Sequence, residues 1–217
     1  MFWKKRASKK DLELRLPFDE IRKRARILVI DDDVKAFPYE LLRKEGYNVQ
    51  YWPKIEKLKD FVPGEYDVII LDIVGVAQAL SEKDGLGVLE YLKKSNPAQL
   101  VIAYSGKKYD LSQGKFWRLA DDFLGKPSDL ITCKEKIDSL LKTHFTPQRY
   151  WLEVEKILKD TGISEQDLKK VESVMLSVLT KGKTPSLEVI KSYVKLGEQS
   201  LEIMEVLMKI IMRFFVL

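Results

Sequence analysis

The sequence predicts an α/β protein: a five-stranded, parallel, doubly wound sheet followed by a small all-α helical module. Three observations predict it. Short apolar runs alternate with helical patterns five times between residues 26 and 141, as in a parallel sheet covered by helices on both faces. Two of those runs stop abruptly on aspartates, at Asp31 and Asp72, as strands do where they open into a site at their carboxyl edge. After residue 145 no strand pattern recurs, and capping signals followed by amphipathic stretches take over.

Taken in order, residues 1 to about 26 form a charged lead-in rich in Lys and Arg. It reads as a solvated arm or short helix, or as an electrostatic contact with an acidic partner or nucleic acid. Arg26–Ile30 is a buried strand ending on Asp31-Asp32-Asp33. Pro38 to Glu45 is helical and is stopped by Gly46; Tyr47–Trp52 is a strand, Lys54–Phe61 a helix, and Pro63-Gly64 a turn. Asp67–Leu71 is a second buried strand closed by Asp72, and Gly85–Lys94 is a helix with Leu86, Val88, Leu89 and Leu92 inward. Gln99–Tyr104 is a strand leading to Ser105-Gly106, Leu111–Ala120 a helix, Asp122–Gly125 a strand and Ser128–Leu141 a helix.

In the tail, Thr146-Pro147 reads as an N-cap with proline at the first helical position, ahead of a stripe of Trp151, Val154, Ile157 and Leu158. Ser164-Glu-Gln-Asp167 reads as a helix start, and Thr184-Pro185 repeats the cap-plus-proline signal. A last helix, from about Gln199 onward, is apolar on nearly every side. These boundaries give an arm over residues 1–25, an α/β domain over 26–143 and a helical output or dimerisation domain over 146–217.

Composition narrows the chemistry. The chain has 217 residues, 45% of them hydrophobic, with a formal charge of +5, which is enough apolar material for a core and excludes overall disorder. A single cysteine, Cys133, excludes an internal disulfide framework and a multi-thiolate zinc site. A single histidine, His144, excludes a His-rich metal centre. Both read as structural or solvated. Chemistry here runs on carboxylates, lysines and hydroxyls.

Those groups collect at strand ends. Asp31 and Asp32 leave the first strand, Asp72 ends the third, Ser105 the fourth, and Lys126-Pro127 follows the fifth. Three converging carboxylates repel one another unless a divalent cation screens them, and hard oxygen donors favour Mg²⁺. One carboxylate can then attack a phosphoryl group while a lysine and a hydroxyl hold its oxygens. Asp33 and Asp121 read as caps or solvated side chains.

Residues 27–141 resemble the flavodoxin-like receiver domain of bacterial two-component response regulators. The resemblance rests on Ile27-Leu-Val-Ile-Asp-Asp-Asp33, Val68-Ile-Ile-Leu-Asp-Ile73, Asp84-Gly85, Val101-Ile-Ala-Tyr-Ser-Gly106 and Ala120-Asp-Asp-Phe-Leu-Gly-Lys-Pro127. It implies that Asp31 and Asp32 are the acidic metal-binding pair, with Mg²⁺ also held by Asp72 and the Val74 backbone carbonyl. It implies that Asp72 accepts a phosphoryl group from a histidine kinase or phosphotransfer protein. Ser105 is then the hydroxyl that follows the phosphoryl group, Lys126 its charge partner, and Phe123 the aromatic switch. The Lys126-Pro127 bond resembles one the family holds cis. The chain departs from the family after Asp72: Asp84-Gly85 comes about five residues later than usual, and the usual proline is missing. Serine at 105 and phenylalanine at 123 are mild changes, and Phe123 has no hydroxyl.

The function expected is a response regulator of a phosphorelay, a phosphoacceptor with at most slow self-dephosphorylation and otherwise no enzyme, whose helical module signals by protein–protein contact. Three alternatives stand beside it. One is a DNA-binding transcriptional regulator, with 168–179 and 186–196 as a helix-turn-helix and Lys181, Lys183, Lys191 and Lys195 on phosphates. Another is a degenerate, unphosphorylated receiver serving as an interaction module. The last is a haloacid-dehalogenase-like phosphatase using Asp31 and Asp33, with Asp121-Asp122 as its late acidic pair. The apolar last helix points to the core of its own bundle or to a homodimer. It is interrupted by Glu202, Glu205, Lys209 and Arg213, too often for a membrane span of roughly 20 apolar residues. The basic N-terminus lacks the apolar run of a signal peptide, so a cytoplasmic location without membrane insertion is expected.

Overall fold

The structure is a computed structural model that describes residues 9–12, 16–106 and 114–215. They form two compact units, residues 17–145 and a second unit that joins residues before 17 to residues 146–217. The basic lead-in is therefore not one separate arm, a correction to the boundaries read from sequence. Phe18–Arg24 is a helix (α1) of the first unit, while the 3₁₀ turn Lys9–Leu12 belongs with the C-terminal helices. Leu12, fully buried, and Lys9, bound to Glu155 and Glu172, explain why: a charged segment still docks where it supplies one apolar side chain and a counter-ion.

In the first unit the strands β1 (Arg26–Ile30), β2 (Asn48–Trp52), β3 (Val68–Asp72), β4 (Leu100–Ser105) and β5 (Asp122–Gly125) form one parallel sheet in the order β2-β1-β3-β4-β5. The central strands β1, β3 and β4 are buried nearly throughout, as continuous Val/Ile/Leu runs require when helices cover both faces. Edge strand β2 is only partly buried. The order reverses between β1 and β3, so the crevice for a ligand lies at the carboxyl ends of those two strands. Asp67 pins the opposite end: its buried carboxylate accepts from Arg26 N–H at 2.8 Å.

The crossover helices are α2 (Tyr39–Lys44), α3 (Gly85–Ser95) and α4 (Gly114–Leu119), and α5 (Leu130–His144) follows the last strand. Part of the helix expected over 111–120 lies outside the described residues. In α3, Val88, Leu89 and Leu92 are buried as expected, while Leu86 is only half-buried. Asp129 caps α5, accepting from Thr132 N–H at 2.9 Å. Cys133 is buried against the sheet, which pushes its thiol up to about 12, in keeping with a structural role.

The helix expected over Lys54–Phe61 does not form; only Leu58–Asp60 makes a 3₁₀ turn. Ile55 N–H donates to the Val76 carbonyl at 2.7 Å, and Ile55 and Phe61 are both buried. Docking on the 73–84 loop and reaching two separate core positions demands a more extended chain than a helix gives.

The second unit contains α6 (Pro147–Asp160), α7 (Glu165–Leu179), α8 (Leu187–Lys191) and α9 (Glu198–Met212). Thr146 caps α6 and Ser164 caps α7, as read from sequence. The cap of α8 is Ser186 rather than Thr184. Pro185 is buried and the Thr184 hydroxyl turns to Met212 Sδ at 2.8 Å, which leaves the capping to the next hydroxyl. On α9, Met204, Leu207, Met208, Ile210 and Ile211 are buried, and Tyr150 of α6 lies against Phe214 with ring centroids 6.2 Å apart. The apolar last helix thus finds its partners within its own unit, the first of the two readings given above. Val216 and Leu217 lie outside the described residues. Among the described residues, no helix is long and apolar enough to cross a membrane.

Candidate functional site

The carboxyl ends of β1, β3 and β5 bring one cluster together. One carboxylate oxygen from each of Asp31, Asp32 and Asp72 lies within 4.8 Å of the others. Lys126 Nζ sits among them, donating to Asp31 Oδ1 and Asp72 Oδ2 at 2.6 Å each, with Asp32 Oδ1 at 3.8 Å. Convergence follows from the sheet: β1 and β3 are neighbours at the reversal point, and Lys126 follows β5, whose Gly125 pairs with Ser105 of β4. The Lys126–Pro127 bond is cis, as the resemblance suggested.

The three acids differ in surroundings. The Asp31 side chain is wholly buried, Asp72 nearly so, and Asp32 is 55% exposed. Burial is the largest influence on Asp31 and pushes its carboxyl above the usual aspartate range, against the pull of Lys126. Burial would by itself lower Lys126, but its hydrogen bonds to Asp31 and Asp72 outweigh that and hold the ammonium above the ordinary lysine range. Asp31 Oδ1 also accepts from Asp33 N–H at 2.8 Å. Asp31 Oδ2, by contrast, is buried without a hydrogen-bond partner. A buried carboxylate oxygen with no donor is costly, and here it lies within a cluster of acids. The donor set, all hard oxygens with one lone pair unclaimed, fits a small divalent cation such as Mg²⁺.

Asp72 divides its two oxygens. Oδ1 accepts from Ile73 N–H at 2.7 Å and Val74 N–H at 3.4 Å, while Oδ2 faces Lys126. Ser105 is buried at the end of β4, and its carbonyl accepts from Lys126 N–H at 3.0 Å. Phe123 is 56% exposed on β5, with Lys136 Nζ 5.0 Å from its ring centre. Val74 follows Asp72 with an exposed side chain. The structure thus brings Asp31, Asp32, Asp72 and Lys126 together, while Ser105 ends the strand beside β5, Val74 lies two residues beyond Asp72 and Phe123 packs with Lys136.

The side chains of Asp33, Asp121 and Asp122 bond outside the cluster. Asp33 Oδ1 accepts from Lys35 N–H at 3.0 Å in a local turn. Asp121 holds Val101 N–H at 2.8 Å and Lys93 at 2.7 Å, and Asp122 pairs with Lys136 at 2.8 Å. These contacts hold three of the four acids of the phosphatase alternative, Asp33, Asp121 and Asp122, in local structural roles.

Two tyrosines and a second aspartate were not legible as parts of the site. Tyr104 is fully buried, donates to the Ala36 carbonyl and presents its ring to Lys126 Nζ at 5.6 Å. Tyr51 donates to the Asp31 carbonyl, and burial followed by the charge of Asp31 pushes its phenol up to about 12. Both read as ordinary strand aromatics, because nothing in the sequence says which face they take. Asp84 was visible only as half of an Asp-Gly pair; its carboxylate ties together the loop after Asp72, accepting from Gly75 N–H and Ala77 N–H at 2.6 Å each.

No protein-family model matches the chain. It is similar to the transcriptional regulatory protein CiaR of Streptococcus pneumoniae, at 31% identity over 120 residues, 54% of this chain and 51% of that protein. It is also similar to the transcriptional regulatory protein CpxR of Escherichia coli, at 26% identity over 151 residues, 64% of this chain and 62% of that protein. The chain thus spans about half to three-fifths of the length of these curated relatives. Among solved structures, a two-component response regulator from Clostridium difficile superposes over 55% of this chain and 98% of its own, with 22% identity and a TM-score of 0.46. A CheY-like response regulator receiver domain protein from Methanospirillum hungatei covers 55% and 95%, with 25% identity and a TM-score of 0.45.

Proposed function

We propose that residues 17–145 are a response-regulator receiver domain, a reading supported by their similarity to two transcriptional regulatory proteins, and that it accepts a phosphoryl group on Asp72 in a Mg²⁺-dependent reaction. The observation that carries this reading is the meeting of Asp31, Asp32 and Asp72 around one point with Lys126 Nζ 2.6 Å from the Asp72 carboxylate. Asp31, Asp32, Asp72 and the Val74 carbonyl are the groups that would hold the cation. When bound, it screens the repulsion between these carboxylates and the oxygens of an incoming phosphoryl group.

The chain's own residues do the rest. Ile73 and Val74 N–H fix one oxygen of Asp72, so the other, beside Lys126, is the attacking atom. Its lone pair forms the O–P bond as the P–N bond of a donor phosphohistidine breaks; the electron pair stays on the imidazole nitrogen, which takes a proton from solvent. Lys126 stays charged at any ordinary pH and neutralises the new acyl phosphate. Ser105 and Lys126 then follow the phosphoryl oxygens, and Phe123 repacks from its exposed position, biasing contacts made by the domain. The donor is a histidine kinase or phosphotransfer protein, and output passes through the helical unit by protein–protein contact. The domain is a phosphoacceptor with slow self-dephosphorylation, not a phosphatase.

The helix-turn-helix alternative meets a physical obstacle. The helix that would read bases, α8, has five residues, or about 7.5 Å at 1.5 Å per residue, short for a helix laid along a major groove. Lys191 is also paired with Glu188 at 2.8 Å.

The test is incubation with acetyl phosphate and Mg²⁺, read by intact mass and size exclusion. The expected result is a metal-dependent gain of one phosphoryl group, absent from Asp72→Ala. A gain that persists in Asp72→Ala overturns the assignment.

A further inference from the structure

The loop from Ile73 to Asp84, longer than the family's usual spacing and without its usual proline, still brings the backbone of residues 73–75 against the acidic cluster. We propose that Asp84 is the positioning residue that makes this possible, holding the loop so that Asp32 and the Val74 carbonyl meet the metal. The inference rests on the receiver reading above and goes beyond it by naming what holds the longer loop in place.

Three independent features of the loop point to Asp84. First, it is the one described non-glycine residue with a positive φ, at φ 48° and ψ −127°. That region suits glycine, and an L side chain there is strained unless its surroundings compensate. Second, the compensation is visible. Both Asp84 oxygens are spent on the loop, one on Gly75 N–H and one on Ala77 N–H, each at 2.6 Å. Charge-assisted bonds to backbone donors are among the stronger kind. Third, what Asp84 holds lies against the site. Gly75 has φ +92°, and a Cβ built there would overlap the Asp32 carboxylate, 2.8 Å from its Cγ. Gly85 N–H donates to the Ile73 carbonyl at 3.0 Å, and its own missing side chain lets it lie on the Asp72–Ile73 backbone, where a Cβ would be 2.8 Å from Ile73 Cα.

Ile55 N–H, reaching the Val76 carbonyl at 2.7 Å, and the burial of Val76 and Ala77 fasten the loop's middle. They do not fix the 74–75 peptides; the Asp84 carboxylate does. Asp32 is the exposed member of the cluster, so the backbone of Gly75 is the wall that limits its range. Releasing that wall loosens the metal site without emptying the core.

The decisive variant is Asp84→Gly, which suits the backbone angles and removes the carboxylate. Mg²⁺ binding is measured by calorimetry on the full chain, alongside acetyl-phosphate labelling at several Mg²⁺ concentrations. The expected result is a Kd for Mg²⁺ about tenfold weaker, with labelling slowed at limiting Mg²⁺ and restored to within about twofold at saturation. Asp84→Asn keeps one acceptor oxygen and is expected in between; it also carries the test should Asp84→Gly fold poorly. A wild-type Kd in both variants overturns the proposal while the receiver reading stands. Wild-type protein that neither binds Mg²⁺ nor takes up phosphate overturns both. A labelling defect that saturating Mg²⁺ does not repair overturns positioning through the metal.

Discussion

Each unit of the molecule holds a cluster of acids around one lysine, yet the two clusters do opposite things. In the α/β unit, Asp31, Asp32 and Asp72 surround Lys126. In the helical unit, Glu155 and Glu172 surround Lys9. Burial pushes Glu172 above the usual glutamate range, aided by its hydrogen bond to Glu155. Burial would raise Glu155 as well, but Glu172 and Lys9 hold it below that range. There two carboxyls face one ammonium. In the α/β unit three carboxylates face one ammonium, and Asp31 Oδ2 is buried without a hydrogen-bond partner, as Glu172 Oε1 is in the helical cluster. Acids beside a lysine become a site when the charges stay unbalanced and one member, here Asp32, stays open to solvent.

The largest expected difference is between the two lysines. Lys126→Met strands buried carboxylates and is expected to cost about 3 kcal/mol of stability by urea denaturation. Mg²⁺ at about 100 times the variant's own Kd is expected to raise that variant's stability by about 2.7 kcal/mol. A variant whose stability does not respond to Mg²⁺ would break the contrast. Next, Asp32→Asn is expected to weaken Mg²⁺ binding about tenfold, or about 1.4 kcal/mol. Because Asp32 is half exposed, its unfolding free energy without metal should stay within about 0.5 kcal/mol of wild type.

Lys9→Met is expected to cost at most about 1 kcal/mol, since half of that side chain faces water and screens the pair. The loss should be insensitive to Mg²⁺. The smallest effect is a pH dependence. A raised Glu172 contributes stability that is lost as pH rises through its folded value, whereas a lowered Glu155 contributes stability lost as pH falls through its own. The pair therefore favours folding most around the ordinary glutamate value of 4.5. Glu172→Gln should flatten the decline on the alkaline side of that window by about 0.5 kcal/mol, read as the thermal midpoint from pH 4 to 8. An unchanged slope would mean that burial does not shift the titration of Glu172.

What was legible follows the same division. The strands β1, β3 and β4, the aspartates at their ends and the caps Thr146 and Ser164 could all be read from local pattern. Strand period, strand ends and cap hydroxyls are properties of a few adjacent residues. The Lys54–Phe61 helix was misread, because docking on a loop some twenty residues away overrode a fair local propensity. The α8 cap moved to Ser186 because Met212 took the Thr184 hydroxyl. The lead-in was misassigned because Lys9 found its partners in α6 and α7, far along the chain.

The sequence by itself determined the alternation of strands and helices, and with it the edge of the sheet where Asp31, Asp32, Asp72, Ser105 and Lys126 gather. Parallel β-α order admits very few arrangements, and all of them send those strand ends to one side. The tertiary structure alone decided which acid is buried and which is open, that Asp31 keeps an unclaimed oxygen, and that Asp84 reaches back across its loop to hold Gly75 against Asp32. Those outcomes depend on contacts between residues distant in sequence and on how much water reaches each carboxylate, and neither quantity is written in any short stretch of the chain.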